Sequence, residues 1–280
     1  MTLIINKKGV TRRDFTRQIS LASAFVIVSP RVLKGNKPAG YTEKVPALYQ
    51  QESPKGIMCL LCPNNCVLKE NERGDCRNRV VFKNKLYSIA YGNPCTVNND
   101  PVEKKPLYHF LPGSTALSIA TAGCNLACLN CQNWTISQTS PENTSNYKLP
   151  PEDVVATALA NKSASIAYTY SEPNTFYEYV CDTSKAARES GIKNIMVSNG
   201  YINPEPLRNL CKVIDAANID LKSFSNDTYM KLNGGKLQPV LDSLRVYHDE
   251  GIWLEITNLV VPGWTDKPEE IRAMCKWLYA

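Results

Sequence analysis

Residues 121–134, TAGCNLACLNCQNW, place three cysteines within eight positions, at Cys124, Cys128 and Cys131. A closed structural zinc site uses four protein ligands, and a disulfide needs two cysteines. Three thiols separated by three and then two residues therefore indicate a metal centre with one coordination position left open. Such thiolates can hold an iron–sulfur cluster, zinc or copper(I). A Cys3His zinc site is one alternative, with His109 as the nearer of the two histidines in sequence.

The cysteine content of the whole chain also favours metal binding. Eleven cysteines occur in 280 residues, and seven of them fall into two tight clusters that do not resemble a disulfide framework. The length allows one large domain with a small appendage. The net charge of +6 is mild and comes partly from the first 34 residues, so charge alone does not predict a nucleic-acid partner.

Short apolar runs alternate with amphipathic stretches after residue 112. Several of the amphipathic stretches begin with proline and glutamate or end on glycine, as helices commonly do. Repeated alternation of strands and helices predicts parallel strands with right-handed crossovers, as in an α/β barrel or a doubly wound sheet. The predicted strands are 116–123, 165–170, 193–200, 218–224 and 253–263.

Polar residues lie at the carboxyl ends of these predicted strands. Ligands bind at that edge in α/β proteins, so the three-cysteine loop lies where a cofactor is expected. The residues are Cys124 after the first strand, Ser171 and Glu172 after the second, Ser198 and Asn199 at the end of the third, and Lys222 in the fourth.

The spacing Cys124-x3-Cys128-x2-Cys131 after a first strand resembles the signature of the radical S-adenosylmethionine (radical SAM) superfamily. Over residues 56–280 the chain is similar to the radical SAM member of the AmmeMemoRadiSam system, a family related to the pyruvate formate-lyase activating enzymes. The segments that carry this resemblance are CLLCPNNCVLKENERGDCRNR, DPVEKKPLYHFLPGS, YTYSEPNTFYEYV, VSNGYI, DLKSF and EITNLVVPG.

The resemblance implies a radical SAM partial (βα)6 barrel with a small N-terminal cysteine-rich module. It implies a [4Fe–4S] cluster on Cys124, Cys128 and Cys131, whose open iron binds the amino and carboxylate groups of SAM. The reduced cluster would cleave SAM to a 5′-deoxyadenosyl radical, which abstracts hydrogen from a substrate that the sequence does not identify. The implied partners are SAM, a one-electron reductant such as flavodoxin or ferredoxin, and in one reading a protein substrate, while no nucleic acid is expected.

Further SAM contacts follow from the resemblance at two strand ends. Ser171, Glu172 and Pro173 stand where the family receives the methionine amino group, although an ordinary strand-to-helix turn would also account for them. Ser198 and Asn199 match a family tripeptide near the methionyl or ribose groups, and the alternative is a polar turn.

The last two strands supply the remaining expected contacts. Asp220 and Lys222 match an Asp-Leu-Lys motif whose lysine reaches the SAM carboxylate, and alternate strand residues share a face. A buried lysine also needs an anion. Val261, in the fifth predicted strand, would lie along the adenine, or would simply be a core residue.

Asn130 stands where the family often has an aromatic residue, and Trp134 is the candidate to compensate.

Two other features depart from the family pattern. Val197 replaces an acidic ligand that formate-lyase activases use for a monovalent cation, so no such cation site is expected. The chain ends at Ala280, inside the helix predicted after the fifth strand. We therefore expect the barrel to be truncated before its sixth strand.

A second cysteine set precedes the predicted barrel, at Cys59, Cys62, Cys66 and Cys76. Four thiolates can close around zinc or hold an auxiliary iron–sulfur cluster, and Gly74 suits the tight turn of such a module. The alternatives are reduced structural thiols, or a disulfide pair if the protein is exported.

The N-terminus resembles a twin-arginine export signal. Arg12 and Arg13 precede Phe15 and an apolar stretch, residues 19–28, that is too short for an ordinary transmembrane helix. The alternative is an amphipathic helix on a cytoplasmic protein, so localisation is left open between export or membrane attachment and the cytoplasm. The predicted division is 1–34 signal or anchor, 35–55 linker, 56–112 cysteine-rich module and 113–280 partial barrel.

Two functions compete with a general radical SAM enzyme. A glycyl-radical enzyme activase would act on a protein glycine and would need a large partner. An iron–sulfur electron carrier, or a zinc-bound interaction protein, would not use SAM. Glu172 and Lys222 argue against this last class, because an electron carrier has no need for groups that bind the zwitterion of an amino acid.

Overall fold

Two small antiparallel sheets form the N-terminal part of the computed structural model, which describes residues 39–280. The predicted signal or anchor, residues 1–34, lies outside the described residues. The strands are β1 (Val45–Pro46), β2 (Gln50–Ser53), β3 (Gly56–Cys59), β4 (Val67–Leu68), β5 (Arg79–Phe82) and β6 (Lys85–Ser88). One sheet has the order β1-β6-β5 and the other β2-β3-β4, so the cysteine-rich segment is folded as hairpins.

Strands β1 and β2 lie within residues 35–55, the segment predicted as a linker. Strand β2 joins β3 through a two-residue turn at Pro54 and Lys55, since Ser53 lies opposite Gly56. Gly56 has a φ of 137°, and a Cβ there would lie 2.3 Å from a carbonyl oxygen of β4, so glycine is required. Pro54 and Lys55, at the end of the segment predicted as a linker, therefore form the turn of a hairpin.

A six-stranded sheet follows the two small sheets along the chain. Its strands are β7 (Thr96–Pro101), β8 (Thr115–Ala120), β9 (Ser165–Tyr168), β10 (Lys193–Ser198), β11 (Ala216–Asp220) and β12 (Trp253–Thr257). The order is β12-β11-β10-β9-β8-β7, and β8 to β12 pair with their neighbours in parallel. The predicted α/β fold with a parallel sheet is confirmed.

Strand β7 is antiparallel to β8 and lies within the segment predicted as the cysteine-rich module. It pairs along its length, from Thr96 opposite Ala120 to Pro101 opposite Thr115. Its sequence, TVNNDP, has only one buried residue, Asp100. Because an edge strand tolerates polar residues and a terminal proline, the hydrophobic pattern of the sequence does not reveal it.

Helices connect the parallel strands, as the strand–helix alternation predicts. Within residues 39–280, no helix has the length and apolar character needed to cross a bilayer. A π-helical turn, Tyr229–Asn233, follows the short helix α5. The helices are α1 (Trp134–Ser137), α2 (Pro151–Ala160), α3 (Tyr177–Glu189), α4 (Pro204–Cys211), α5 (Asn226–Thr228), α6 (Leu237–Asp249) and α7 (Pro268–Tyr279).

Small apolar side chains fill the interior of the parallel sheet. Ile195 of β10 lies opposite Ala167 of β9 and Ala216 of β11. These residues form a fully buried cluster with Val102 and Leu107, which follow β7. The core is therefore closed by the segment after the edge strand, while the polar ends of the parallel strands border a cavity.

Candidate active site

One cavity of about 630 Å³ lies at the carboxyl ends of the parallel strands. Most of the predicted site residues line it, although Pro173 does not, because it is buried in the 3-10 turn Pro173–Phe176. The predicted residues around the cavity are Cys124, Cys128, Cys131, Ser171, Glu172, Ser198, Asn199, Asp220, Lys222 and Val261.

The three-cysteine loop leaves β8 through a turn at Gly123. This residue has a φ of 100°, and a Cβ on it would lie 2.5 Å from the carbonyl oxygen of Cys76, so only glycine fits. The Asn78 side-chain amide donates to the carbonyl oxygen of Ala122 at 2.7 Å. The cysteine-rich segment therefore holds the start of this loop directly.

N–H groups are directed at two of the three sulfur atoms. The Leu126 N–H donates to Cys124 Sγ at 3.4 Å, and the Asn199 amide approaches the same sulfur at 3.7 Å. The Asn233 amide donates to Cys128 Sγ at 3.3 Å. Such donors stabilise negative charge on sulfur, and hydrogen bonds of this kind tune iron–sulfur clusters.

The Glu172 side chain links the loop after β9 to the end of β10. Its carboxylate accepts hydrogen bonds from the Ser198 hydroxyl at 2.7 Å, the Asn199 N–H at 2.8 Å and the Asn174 N–H at 3.1 Å. Burial raises the pKa of Glu172 to about 7, although the three hydrogen bonds act in the opposite direction. Glu172 therefore fixes the neighbouring loop as well as facing the cavity.

The raised pKa of Glu172 predicts a pH-dependent contribution to stability. The native protein binds this proton more tightly than the unfolded chain, whose carboxyl has a pKa near 4.5. The stabilisation is thus complete below about pH 4.5 and is lost as the pH rises through about 7. From pH 5 to pH 8, we expect Glu172→Gln to gain up to about 3 kcal/mol in unfolding free energy relative to the wild type, since tenfold in proton affinity is about 1.4 kcal/mol.

Denaturant titrations of both proteins across this pH range measure the effect. Glu189→Gln is the matched control, because Glu189 is exposed at the end of α3, and it should follow the wild type at each pH. A constant difference between Glu172→Gln and the wild type would contradict the raised pKa.

Lys222 and Asp220 form an ion pair at the cavity wall. Lys222 Nζ lies 2.9 Å from Asp220 Oδ2. Burial lowers the pKa of Lys222, but the Asp220 carboxylate and the Cys128 sulfur more than offset it, so the pKa is raised overall. The prediction that Lys222 lies within the fourth strand is wrong, because β11 ends at Asp220 and the Lys222 N–H donates to the hydroxyl of Tyr229.

Two other predicted positions differ from expectation. Val261 lies in the loop after β12, which ends at Thr257, and its N–H donates to the Thr265 hydroxyl at 2.7 Å. The fifth strand is thus shorter than predicted. Asn130 lines the cavity, whereas Trp134 does not line it and has 64% of its surface exposed. Trp134 therefore does not take the place of an aromatic residue at position 130.

The sequence model of the Radical SAM superfamily matches residues 118–278, from β8 to α7. The chain belongs to the radical SAM superfamily. Members of this superfamily are enzymes, and membership implies a [4Fe–4S] cluster and SAM as cofactors. The matched segment contains all three cysteines of the loop and every strand end that borders the cavity.

Individual relatives of this radical SAM protein place it near the pyruvate formate-lyase activating enzymes. It is 43% identical over 223 residues to the uncharacterized protein MJ0808 of Methanocaldococcus jannaschii, covering 80% of this chain and 66% of the relative. It is 26% identical over 148 residues to the pyruvate formate-lyase 1-activating enzyme of Escherichia coli (strain K12), covering 51% of this chain and 60% of that enzyme. The chain thus spans about two thirds or less of the length of these relatives.

The structure of TYW1 is among the solved structures that resemble part of the radical SAM chain. The structure of TYW1 with a lysine–pyruvate adduct bound aligns with a TM-score of 0.41 and 20% sequence identity. The alignment covers 57% of this chain and 61% of that one.

The donor set of the loop fits the cluster of a radical SAM protein. Three cysteine sulfurs border one cavity, and N–H groups already point at two of them. Burial raises the pKa of the Cys124 and Cys128 thiols, so the positive charge of bound iron is needed to keep them as thiolates. His109, the alternative zinc ligand, does not line the cavity and instead lies 3.5 Å from Glu255.

The cavity also contains a buried group that the sequence did not suggest. Lys105 Nζ lies 2.8 Å from Asp100 Oδ2 and 4.3 Å from the centre of the Tyr170 ring. Lys105 is fully buried, and both Lys105 and Tyr170 line the cavity. The chain segment DPVEKKP carries the first two residues, but their approach to Tyr170 depends on the pairing of β7 with β8. No local sequence signal marks this contact.

Proposed function

We propose that this protein cleaves SAM reductively and uses the resulting 5′-deoxyadenosyl radical to abstract hydrogen from a substrate. One arrangement carries the proposal: three cysteine thiols, a buried carboxylate and a lysine border the same cavity of about 630 Å³. The cysteines supply a cluster with one open iron, and the two charged side chains complement the amino and carboxylate groups of an amino acid. When bound, the cluster and SAM supply the electron transfer and the radical.

The protein residues in this proposal bind and orient SAM. Cys124, Cys128 and Cys131 hold the cluster. Glu172 faces the ammonium group and at the same time positions the end of β10 and the start of the next loop through its bonds to Ser198 and Asn199. The positively charged Lys222 faces the SAM carboxylate.

Other predicted contacts take smaller roles in the proposal. The Ser171 hydroxyl donates to the carbonyl oxygen of Thr121 at 2.7 Å, so Ser171 contributes mainly by linking the ends of β8 and β9. Pro173 starts the turn that carries Glu172. Val261, which lines the cavity, supplies an apolar surface for the adenine.

We further propose that the protein is the radical SAM member of an AmmeMemoRadiSam system. The proposal rests on the segments that resemble this family, including the four-cysteine segment and the Asp-Leu-Lys at residues 220–222. A one-electron reductant such as flavodoxin or ferredoxin completes the reaction.

A glycyl-radical activase is the second candidate function. It is favoured by the 26% identity to the pyruvate formate-lyase 1-activating enzyme, whose name describes an action on another enzyme. This alternative predicts a protein partner at the cavity mouth, with transfer of the radical to a backbone glycine. Addition of candidate glycyl-radical enzymes to the activated protein, followed by detection of a glycyl radical, tests it.

Low-temperature EPR of the anaerobically reconstituted, dithionite-reduced protein tests the main proposal. We expect a [4Fe–4S]+ signal that changes when SAM is added, together with formation of 5′-deoxyadenosine. A cluster signal that SAM leaves unchanged, with no 5′-deoxyadenosine, would favour an iron–sulfur electron carrier. Zinc in place of iron at the three-cysteine loop would refute the proposal.

A further inference from the structure

Four cysteines outside the active site surround a second, much smaller cavity. Cys59 ends β3, Cys62 and Cys66 lie in the loop between β3 and β4, and Cys76 precedes β5. All four line one cavity of about 10 Å³, which is close to the space that a single water molecule requires, roughly 10–15 Å³.

Two tight turns bring these cysteines together. In the first, the Asn65 N–H donates to the carbonyl oxygen of Cys62 at 3.1 Å. In the second, the Arg77 N–H donates to the carbonyl oxygen of Gly74 at 2.8 Å, and Arg77 has a φ of 69°. The strands on either side hold both turns, so the positions of the four cysteine backbones are fixed by the fold.

A buried arginine borders the same cavity with unused hydrogen-bond donors. Arg79 is 1% exposed and lines the cavity with the four thiols. Its Nη1 donates to Glu178 at 2.9 Å, whereas Nε and Nη2 have no partner. Buried donors are nearly always hydrogen-bonded, so these groups point to an anionic acceptor in the cavity. A protonated thiol is a weak acceptor, and a metal-bound thiolate is a strong one.

We propose that Cys59, Cys62, Cys66 and Cys76 bind one zinc ion, and that Arg79 donates hydrogen bonds to the zinc-bound thiolates. Four thiolates complete the tetrahedron of a structural zinc site. The small cavity favours a single ion over a cluster of several iron and sulfur atoms. Within residues 39–280, no three His, Cys, Asp or Glu side chains converge on one point, so binding requires the cysteine side chains to rotate toward the centre of the cavity.

The position of this zinc site gives it a role beside the active site. The Asn64 amide, between Cys62 and Cys66, donates to the carbonyl oxygen of Asn125 at 3.0 Å. The carbonyl oxygen of Cys76 lies against Gly123. Zinc would therefore stabilise the backbone conformation on both sides of Cys124. This role rests on the proposed function of the loop, while zinc binding itself does not.

Metal analysis of the full chain with Cys124, Cys128 and Cys131 all replaced by alanine tests zinc binding. This variant lacks the proposed cluster ligands, so a failure of the radical SAM proposal does not affect the result. We expect about one zinc per chain, and cobalt(II) substitution should give the absorption bands of tetrahedral thiolate coordination. Iron and sulfide in place of zinc, or a folded variant without metal, would overturn the proposal.

Two further changes in this background locate the metal. Addition of Cys62→Ser should remove the zinc, while Cys211→Ser, at a buried cysteine outside the cavity, should retain it. Arg79→Gln should lower the affinity for zinc about 10- to 100-fold, as loss of a group that supports metal ligands does. Competition with a chelator measures this affinity. An unchanged zinc affinity in Arg79→Gln would refute the role given to Arg79.

Discussion

Replacement of Cys128 by alanine should abolish both the reducible cluster and SAM cleavage. Cys128 lines the active-site cavity, and its sulfur accepts a hydrogen bond from Asn233. Without it, only two of the three proposed protein ligands remain. Loss of a group that merely supports a metal ligand costs about 10- to 100-fold in affinity or activity, so we expect a fall of more than about 100-fold in the rate of 5′-deoxyadenosine formation.

Iron and sulfide analysis and EPR of the reduced protein should show a parallel loss of the cluster. Cys211→Ala is the matched control, because Cys211 is a buried cysteine at the end of α4 that does not line the cavity. It should retain the cluster and the activity. A Cys128→Ala protein that cleaves SAM at the wild-type rate would exclude Cys128 as a cluster ligand.

The parallel sheet could be predicted from the sequence because its strands are short, continuous apolar runs. The four residues of β9, Ser165–Tyr168, are all buried, as expected of a strand covered on both faces. Strand β7 could not be predicted in this way, because its position depends on pairing with β8 and its side chains contribute little apolar surface. Strand ends were overestimated where apolar residues continue into a loop, as at Val261.

The active-site edge was predictable for a topological reason. Parallel strands all present their carboxyl ends at one edge, so polar residues at successive strand ends must meet even when they are far apart in sequence. The approach of Asn233 to Cys128, across 105 positions, has no such origin. It depends on a π-helical turn after β11, and no periodicity in the sequence indicates where that turn directs its last side chain.

The role of Glu172 shows how the structure refines a predicted contact. The sequence places this residue at a strand end, and the resemblance implies that it binds the amino group of the SAM methionine. The structure adds three internal donors, one from the last residue of β10 and one from the loop that follows it. A change at Glu172 would therefore alter that loop as well as any bound ammonium group, and its effects on SAM binding and on stability should be measured together.

Lys222→Met should weaken SAM binding, whereas replacement of an exposed lysine outside the cavity should not. The lysine is positively charged, lines the cavity and pairs with Asp220 at 2.9 Å. A hydrogen bond to a charged group contributes about 1.5–3 kcal/mol, so loss of the proposed contact with the SAM carboxylate should raise the Kd roughly 10- to 150-fold. Equilibrium binding of SAM to the cluster-loaded protein measures this effect.

Two controls separate binding from a structural effect of the lysine. Lys231→Met removes a lysine that pairs with Asp227 at 2.8 Å, where both side chains are 64% exposed. It should leave the Kd unchanged because Lys231 does not line the cavity, and stability should change little because exposed ion pairs contribute little. The double change Asp220→Asn with Lys222→Met removes the unpaired carboxylate that Lys222→Met leaves behind. If Lys222 binds SAM, this double variant recovers stability but not affinity; if affinity also returns, Lys222 acts only by neutralising Asp220.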